Sequence, residues 1–204
     1  MTAPDIILAS SSRYRQAQLQ VLALPFRALS PDIDESPLPH ESPMALAKRL
    51  ALAKAQEISR LHPASIVIGA DQVLDLDGQP LGKPVIHEAA VQQLSQLSGR
   101  TACFYSAVSV VSPKTQQVTV STCVARFRTL HRVQIENYLR YEQPYDTAGS
   151  AKAEGLGIAL LKELSSEDPS AIIGLPLIAL TTMLCRIGID PLRHTPNSER
   201  SFPR

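Results

Sequence analysis

The chain lacks an excess of charge of either sign. Its 204 residues carry 20 Lys and Arg against 19 Asp and Glu, a formal net charge of +1. That balance excludes a broadly basic nucleic-acid surface and a self-repelling acidic chain. Cysteine is scarce: Cys103, Cys123 and Cys185 are odd in number, far apart, and form no Cys-x-x-Cys. The histidines (His40, His62, His87, His131, His194) fall at no zinc-ligand spacing. The thiols therefore read as free ones in a reducing compartment. No stretch approaches the roughly 20 apolar residues of a membrane span. The N-terminus, MTAPDIILASSSRYR, has a short apolar run without a basic flank before it, so it does not read as a signal peptide. A phosphate loop of the G-x-x-x-x-G-K-[ST] type is missing, which excludes a P-loop NTPase. There is no internal repeat and no linker. The expectation is a cytoplasmic protein with neither a membrane nor a nucleic-acid partner.

What is present is an ordinary core composition, 44% hydrophobic and 19% charged, in a length that suits one domain or one core with a cleft. Sixteen prolines cut the chain into short elements. Residues 5–10 read as a buried strand, 13–24 as a helix stopped by Pro25, and 26–29 as a strand. After a proline-rich acidic loop over 30–43, Ser42 caps a helix that has Pro43 at its first position and runs to Leu61. A second buried strand, 65–70, delivers Asp71 at its carboxyl end. Asp77-Gly78 marks a turn between residues 73–76 and 80–81, and the nearby Asp75 and Asp77 belong to that turn rather than to a calcium loop. Residues 87–97 and 133–141 read as helices, and 101–111 with 117–128 as a hairpin. Short strands punctuated by glycine follow, then a helix over 175–187. Alternating strands and helices followed by a hairpin give an α/β fold with a mixed sheet. Residues 1–190 form the expected domain, and 191–204 a polar, disordered tail.

In such sheets ligands bind beyond the carboxyl ends of strands. The first strand runs into Ser10-Ser11-Ser12-Arg13-Tyr14-Arg15 at a helix start. Backbone N–H groups, hydroxyls and guanidinium groups there suit an anion, although a simple serine cap explains the same residues. The second strand leads to Asp71-Gln72, a carboxylate leaving an apolar run, which suits either a site or a strand-ending turn. Gly82-Lys83-Pro84 adds a lysine, and Asp32-Ile33-Asp34-Glu35 puts carboxylates on an extended loop. Hard oxygen ligands combined with lysine and arginine are what magnesium-assisted phosphate chemistry requires. A glycine-rich stretch over 148–157 holds Glu154.

Taken together, these segments resemble the Maf family of nucleoside triphosphate pyrophosphatases. The resemblance rests on Leu8-Ala9-Ser10-Ser11-Ser12 with Arg15, Asp34-Glu35, Ala53-Lys54-Ala55, Ile68-Gly69-Ala70-Asp71, Gly82-Lys83-Pro84, Ser98-Gly99 and Ala148-Gly149. It implies a mixed, strongly bent sheet with helices on both sides, in two lobes around a nucleotide cleft. It also implies hydrolysis of a nucleoside triphosphate to the monophosphate and pyrophosphate with a divalent cation, Mg²⁺ or Mn²⁺. Asp71 would be the proton acceptor or would hold the water through the metal, and Glu35 would be a metal ligand with it. Arg15, Lys54 and Lys83 would hold the phosphates, and Ser10 would orient them.

Gln72 and Glu154, with Tyr14 beside the motif arginine, resemble the branch hydrolysing 7-methyl-GTP. That branch commonly has tryptophan in place of Tyr14 and proline in place of Arg13. Members acting on dTTP and UTP usually carry threonine and glutamine where Gln72 and Glu154 stand. A carboxylate at Glu154 can accept from both guanine donors, N1–H and the 2-amino group. An aromatic face at Tyr14 favours the cationic methylated base by about 0.5–2 kcal/mol. The expected partner is a small nucleotide, and a homodimer is compatible with the sequence. The competing readings are a dTTP/UTP pyrophosphatase of the same family, a nucleotide-binding regulator of cell division, and a nucleotidyltransferase, whose glycine-rich first loop is missing here.

Overall fold

In a computed structural model, which describes residues 5–194, the first apolar run forms strand β1 (Ile6–Ala9), buried at every position. Ser12 then caps helix α1 (Arg13–Gln20), its hydroxyl accepting from the Arg15 amide. The helix stops earlier than its apolar pattern suggests, in a turn where Ala23 takes a φ of +53°. Strand β2 (Arg27–Leu29) follows. Helix α2 (Pro43–Leu61) begins as expected, with the Ser42 hydroxyl accepting from the Ala45 amide. Strand β3 (Ile66–Leu76) turns through Asp77 and Gly78, both at positive φ, into β4 (Gln79–Leu81). The Asp75 carboxylate accepts from the Gly78 amide at 2.7 Å, so this acid belongs to the turn. Helix α3 (His87–Leu97) ends before Gly99 at φ +72°, and β5 (Thr101–Ser112) with β6 (Thr115–Phe127) form the expected hairpin. Helix α4 (Arg132–Glu142), β7 (Leu161–Ser166), α5 (Leu177–Arg186) and a short α6 (Pro191–His194) complete the chain.

The sheet runs β2-β1-β3-β5-β6-β7, with β4 also on β3. Strands β2, β1 and β3 are parallel and the remaining pairings antiparallel, which is the mixed α/β sheet expected. Side chains sort to the two faces with the strand period of two. Ile6, Leu8 and Ile68 pack with Leu19 of α1 and Leu180 and Met183 of α5. Further along the same face, Leu74 and Phe104 pack with α3 and α4 through Leu94 and Leu139. The opposite face, with Ile7, Ala9, Val67 and Val73, is covered by α2.

Three further expectations change. The strand expected to end at residue 70 continues to Leu76, because β5 pairs with it without a break from Val67 to Asp75. Asp71 and Gln72 therefore lie inside a strand. The glycine-punctuated region forms short 3-10 turns (Ala148–Ser150, Leu156–Leu160, Pro169–Ile173) around the single strand β7. Positive φ at Gly149, Ser150 and Gly174 interrupts extended pairing there. The expected tail opens with α6, and its residues 195–204 lie outside the described residues.

Helix α2 sits unusually close to the sheet. A Cβ on Gly69 would fall 2.1 Å from the Ala51 carbonyl oxygen and 2.9 Å from Ala55 Cβ. Small residues (Ala47, Ala51, Ala55) on the helix face make this approach, and the Ser109 hydroxyl secures it by donating to Ala51 O at 2.8 Å. Gly69→Ala should push α2 outward and cost about 1–3 kcal/mol. Urea unfolding should show a lower midpoint with the slope unchanged.

Candidate active site

The parallel pairing of β3 with β1 ends at Ala9–Gly69, and its antiparallel pairing with β4 begins at Leu74–Leu81. Between them residues 70–73 have β5 on one side and no strand on the other. Alternation then sends Asp71 and Gln72 to opposite faces of the sheet, beside one gap. The gap opens a cleft of about 640 Å³, lined by the β1–α1 turn, α2, β3, the β4–α3 loop and residues 146–148. This volume lies within the range of small-molecule sites.

Close packing of α2 delivers Lys54 into this gap. Its Nζ lies 2.7 Å from Asp71 Oδ1 and 2.8 Å from Glu35 Oε1. The Lys54 and Asp71 side chains are 7% and 9% exposed, whereas Glu35 is 56% exposed on the acidic loop. One ammonium thus joins a buried and a solvated carboxylate. Among the described residues no group of three or more His, Cys, Asp or Glu side chains is close enough to hold a metal.

At the other wall, buried Ser10 accepts from the Ser12 amide at 3.1 Å, which organises the turn entering α1. Arg15, which lines the cleft, donates through Nε to the Gly174 carbonyl at 3.0 Å. Lys83 lines the cleft from the β4–α3 loop and is exposed. Gln72 also lines it, but its amide nitrogen is committed. It donates to Ser106 Oγ at 2.9 Å and to the carbonyls of Ala171 and Ile172 at 3.0 Å. The Ser106 hydroxyl in turn donates to Ala171 O at 2.6 Å, and Gln18 donates to Ser170 O and Leu175 O. Buried Asp168 accepts from Ser170, Ile178 and Ala179 amides. These bonds fix the turn bearing Ile173 and Gly174 against the cleft.

Tyr14 marks the remaining corner. Its hydroxyl donates to Asp146 Oδ1 at 3.3 Å and accepts from Arg13, whose guanidinium carbon lies 4.9 Å from the ring centroid. Lys152 Nζ lies 5.8 Å from the same centroid and is paired with Glu142. Glu154 lies outside the residues lining the cleft and is exposed. Partial desolvation by the chain around it lifts its carboxyl above the ordinary value, offset by Lys152 and reinforced by Glu142 and Asp146. The structure therefore gathers Ser10, Tyr14, Arg15, Glu35, Lys54, Asp71, Gln72 and Lys83 around one cleft and leaves Glu154 beside it. Sequence reasoning passed over Asp146 and Thr147, which line the cleft two residues and one residue before the Ala148-Gly149 pair. It also passed over the apolar wall of Leu46 and Leu50 on α2.

The family model described as Maf-like protein matches residues 5–187. A 7-methyl-GTP pyrophosphatase of Bordetella avium is 59% identical over 191 residues, covering 93% of this chain and 96% of its own. The protein of that name from Bordetella pertussis is 55% identical, covering 95% of this chain and 97% of its own. One from Polaromonas sp. is 52% identical, with 92% and 87% covered.

The buried pair yields a stability prediction. Lys54→Met leaves Asp71 buried without its cation and should cost about 3 kcal/mol. Adding Asp71→Asn should recover part of that loss, and Glu35→Gln, which alters a solvated partner, should cost under about 1 kcal/mol. Chemical denaturation of the three variants at neutral pH measures this.

Proposed function

Because the chain belongs to the Maf-like protein family, we propose that it hydrolyses 7-methyl-GTP to 7-methyl-GMP and pyrophosphate, removing a modified nucleotide. The observation that carries this reading is Asp71, held by Lys54 on the open edge of β3 inside a cleft whose other cations are Arg13, Arg15 and Lys83. Water attacks the α-phosphorus, the bond to the bridging oxygen breaks, and pyrophosphate leaves. Asp71 Oδ1 takes the Lys54 ammonium, so Oδ2 accepts the proton of the attacking water. Arg15, Lys54 and Lys83 hold the phosphates and the negative charge that grows on the leaving group. Ser10 and the amides entering α1 orient the phosphate chain.

Glu35 and Asp71 are the oxygens that would hold a divalent cation, Mg²⁺ or Mn²⁺. Two protein carboxylates suit such an ion, which takes its remaining ligands from substrate phosphates and water. When bound it supplies charge neutralisation at the phosphates.

The base is assigned to the Tyr14 corner, where the three acids Asp146, Glu142 and Glu154 outnumber the two cations Arg13 and Lys152 paired with them. A cationic 7-methylguanine is favoured there over a neutral pyrimidine, and Glu154 contributes through its carboxylate. The proposal extends to a single catalytic domain over residues 1–190, a cytoplasmic location and a homodimer. Among the described residues no helix is long and apolar enough to cross a membrane.

Purified protein given 7-methyl-GTP, GTP, dTTP, UTP and CTP with Mg²⁺ or Mn²⁺ should release pyrophosphate, not orthophosphate, fastest from 7-methyl-GTP. Asp71→Asn should lower kcat by about 10²–10⁴-fold with KM little changed; near-normal turnover would remove Asp71 from the mechanism. Glu154→Gln should lower the kcat/KM preference for 7-methyl-GTP over UTP by about tenfold, the loss of one charge-assisted contact. An unchanged ratio would exclude Glu154 from reading the base.

A further inference from the structure

The open edges of the sheet are not alike. Strand β2 has three residues and begins with Arg27, β4 has three with Pro80 at its centre, and β7 carries exposed Lys162 and Glu163. Shortness, proline and charge are the usual devices that keep an edge from pairing with another chain. The first part of β6 has none of them. Strand β6 pairs with β5 from Thr115 to Arg126, but with β7 only from Cys123 onward. Residues 115–122 therefore present an edge eight residues long, Thr-Gln-Gln-Val-Thr-Val-Ser-Thr, without charge, proline or bulge.

The hydrogen-bond phase of this edge can be read. Ser112 and Thr115 close the hairpin around a two-residue turn, so Thr115 faces β5 and alternate residues face away. The Thr122 carbonyl confirms the phase, because it accepts from the Ser166 hydroxyl on the β7 side at 3.0 Å. Gln116, Val118 and Val120 thus direct N–H and C=O outward beyond the last paired strand. They are spaced so that an antiparallel copy of the same segment pairs with all of them: Val118 with Val118, and Gln116 with Val120, about a twofold axis through Val118. An uncharged segment meets no like charge when it faces itself, and a twofold pairing closes after two chains instead of propagating.

We propose that residues 115–122 of β6 are the dimerisation edge of this protein, joining two seven-stranded sheets into one continuous antiparallel junction. The edge lies outside the cleft lining, so the inference stands independently of the substrate.

Two substitutions at one position test it. In Val118→Pro the lost N–H points outward, so the bonds to β5 remain, and Val118→Lys places like charges opposite each other at the twofold axis. Sedimentation and light scattering at micromolar concentration should give about twice the 22.2 kDa chain mass for the wild-type protein. Both variants should give the single-chain mass, with far-UV circular dichroism unchanged. If Val118→Pro fails to fold, Val118→Lys decides the matter alone. In hydrogen exchange the Gln116 and Val120 amides should be protected in the wild type and exchange freely in Val118→Lys. A dimer that persists in the folded variant means another face is used. A wild-type monomer with these amides free means a bare edge, and one with them protected means an edge covered by the chain itself. Each of these results overturns the proposal.

Discussion

The Lys54–Asp71 contact is the interaction on which the site depends. A buried ion pair adds little net stability, since desolvation offsets most of the Coulomb gain, but removing one partner strands the other. Its value here is placement. The ammonium fixes a carboxylate at a point where the sheet has no neighbouring strand, and it also holds Glu35 of the acidic loop. Two acids that would otherwise repel are kept around one cation, next to the space a triphosphate would occupy.

That contact depends in turn on close packing. Gly69 and the alanines of α2 let the helix axis approach the sheet, and Ser109 pins the helix backbone through Ala51. On the opposite face Gln72 and Ser106, partners across β3 and β5, are polar residues between two apolar clusters. They are satisfied by the carbonyls of the turn over residues 169–173, which they hold beneath the cleft. Arg15 is anchored to the end of the same turn through Gly174. Arg15 is therefore set by a backbone hydrogen bond, so little ordering of this side chain would remain to be done if an anion binds beside it.

Much of this was legible in local pattern. The strand of residues 5–10, the Ser42-Pro43 start of α2, the Asp77-Gly78 turn and the long hairpin carry strong signals of alternation, capping and turn chemistry, and all form. The end of β3 was misread because Asp71-Gln72 looks like a strand exit. Polar residues inside a strand are tolerated only because one edge is open and the other is paired by β5, and neither condition is written locally. The segment after α4 was misread as strands because its glycines and small apolar residues are compatible with both extended and 3-10 backbone. Side-chain anchors such as Tyr138 to the Ser150 carbonyl decide between them.

The sequence by itself determined which chemistry is available: a carboxylate after an apolar run, lysines in Ala53-Lys54-Ala55 and Gly82-Lys83-Pro84, and a serine-arginine helix start. Only the tertiary structure decided which of these groups meet. Lys54 reaches Asp71 across 17 residues, Tyr14 reaches Asp146 across 132, and Arg15 reaches Gly174 across 159. It also set Glu154 beside the cleft rather than in its lining, and it turned the amide of Gln72 to bracing a turn. Periodicity and capping act over a few residues, whereas the meeting of distant side chains follows from strand order, register and the depth to which a helix packs.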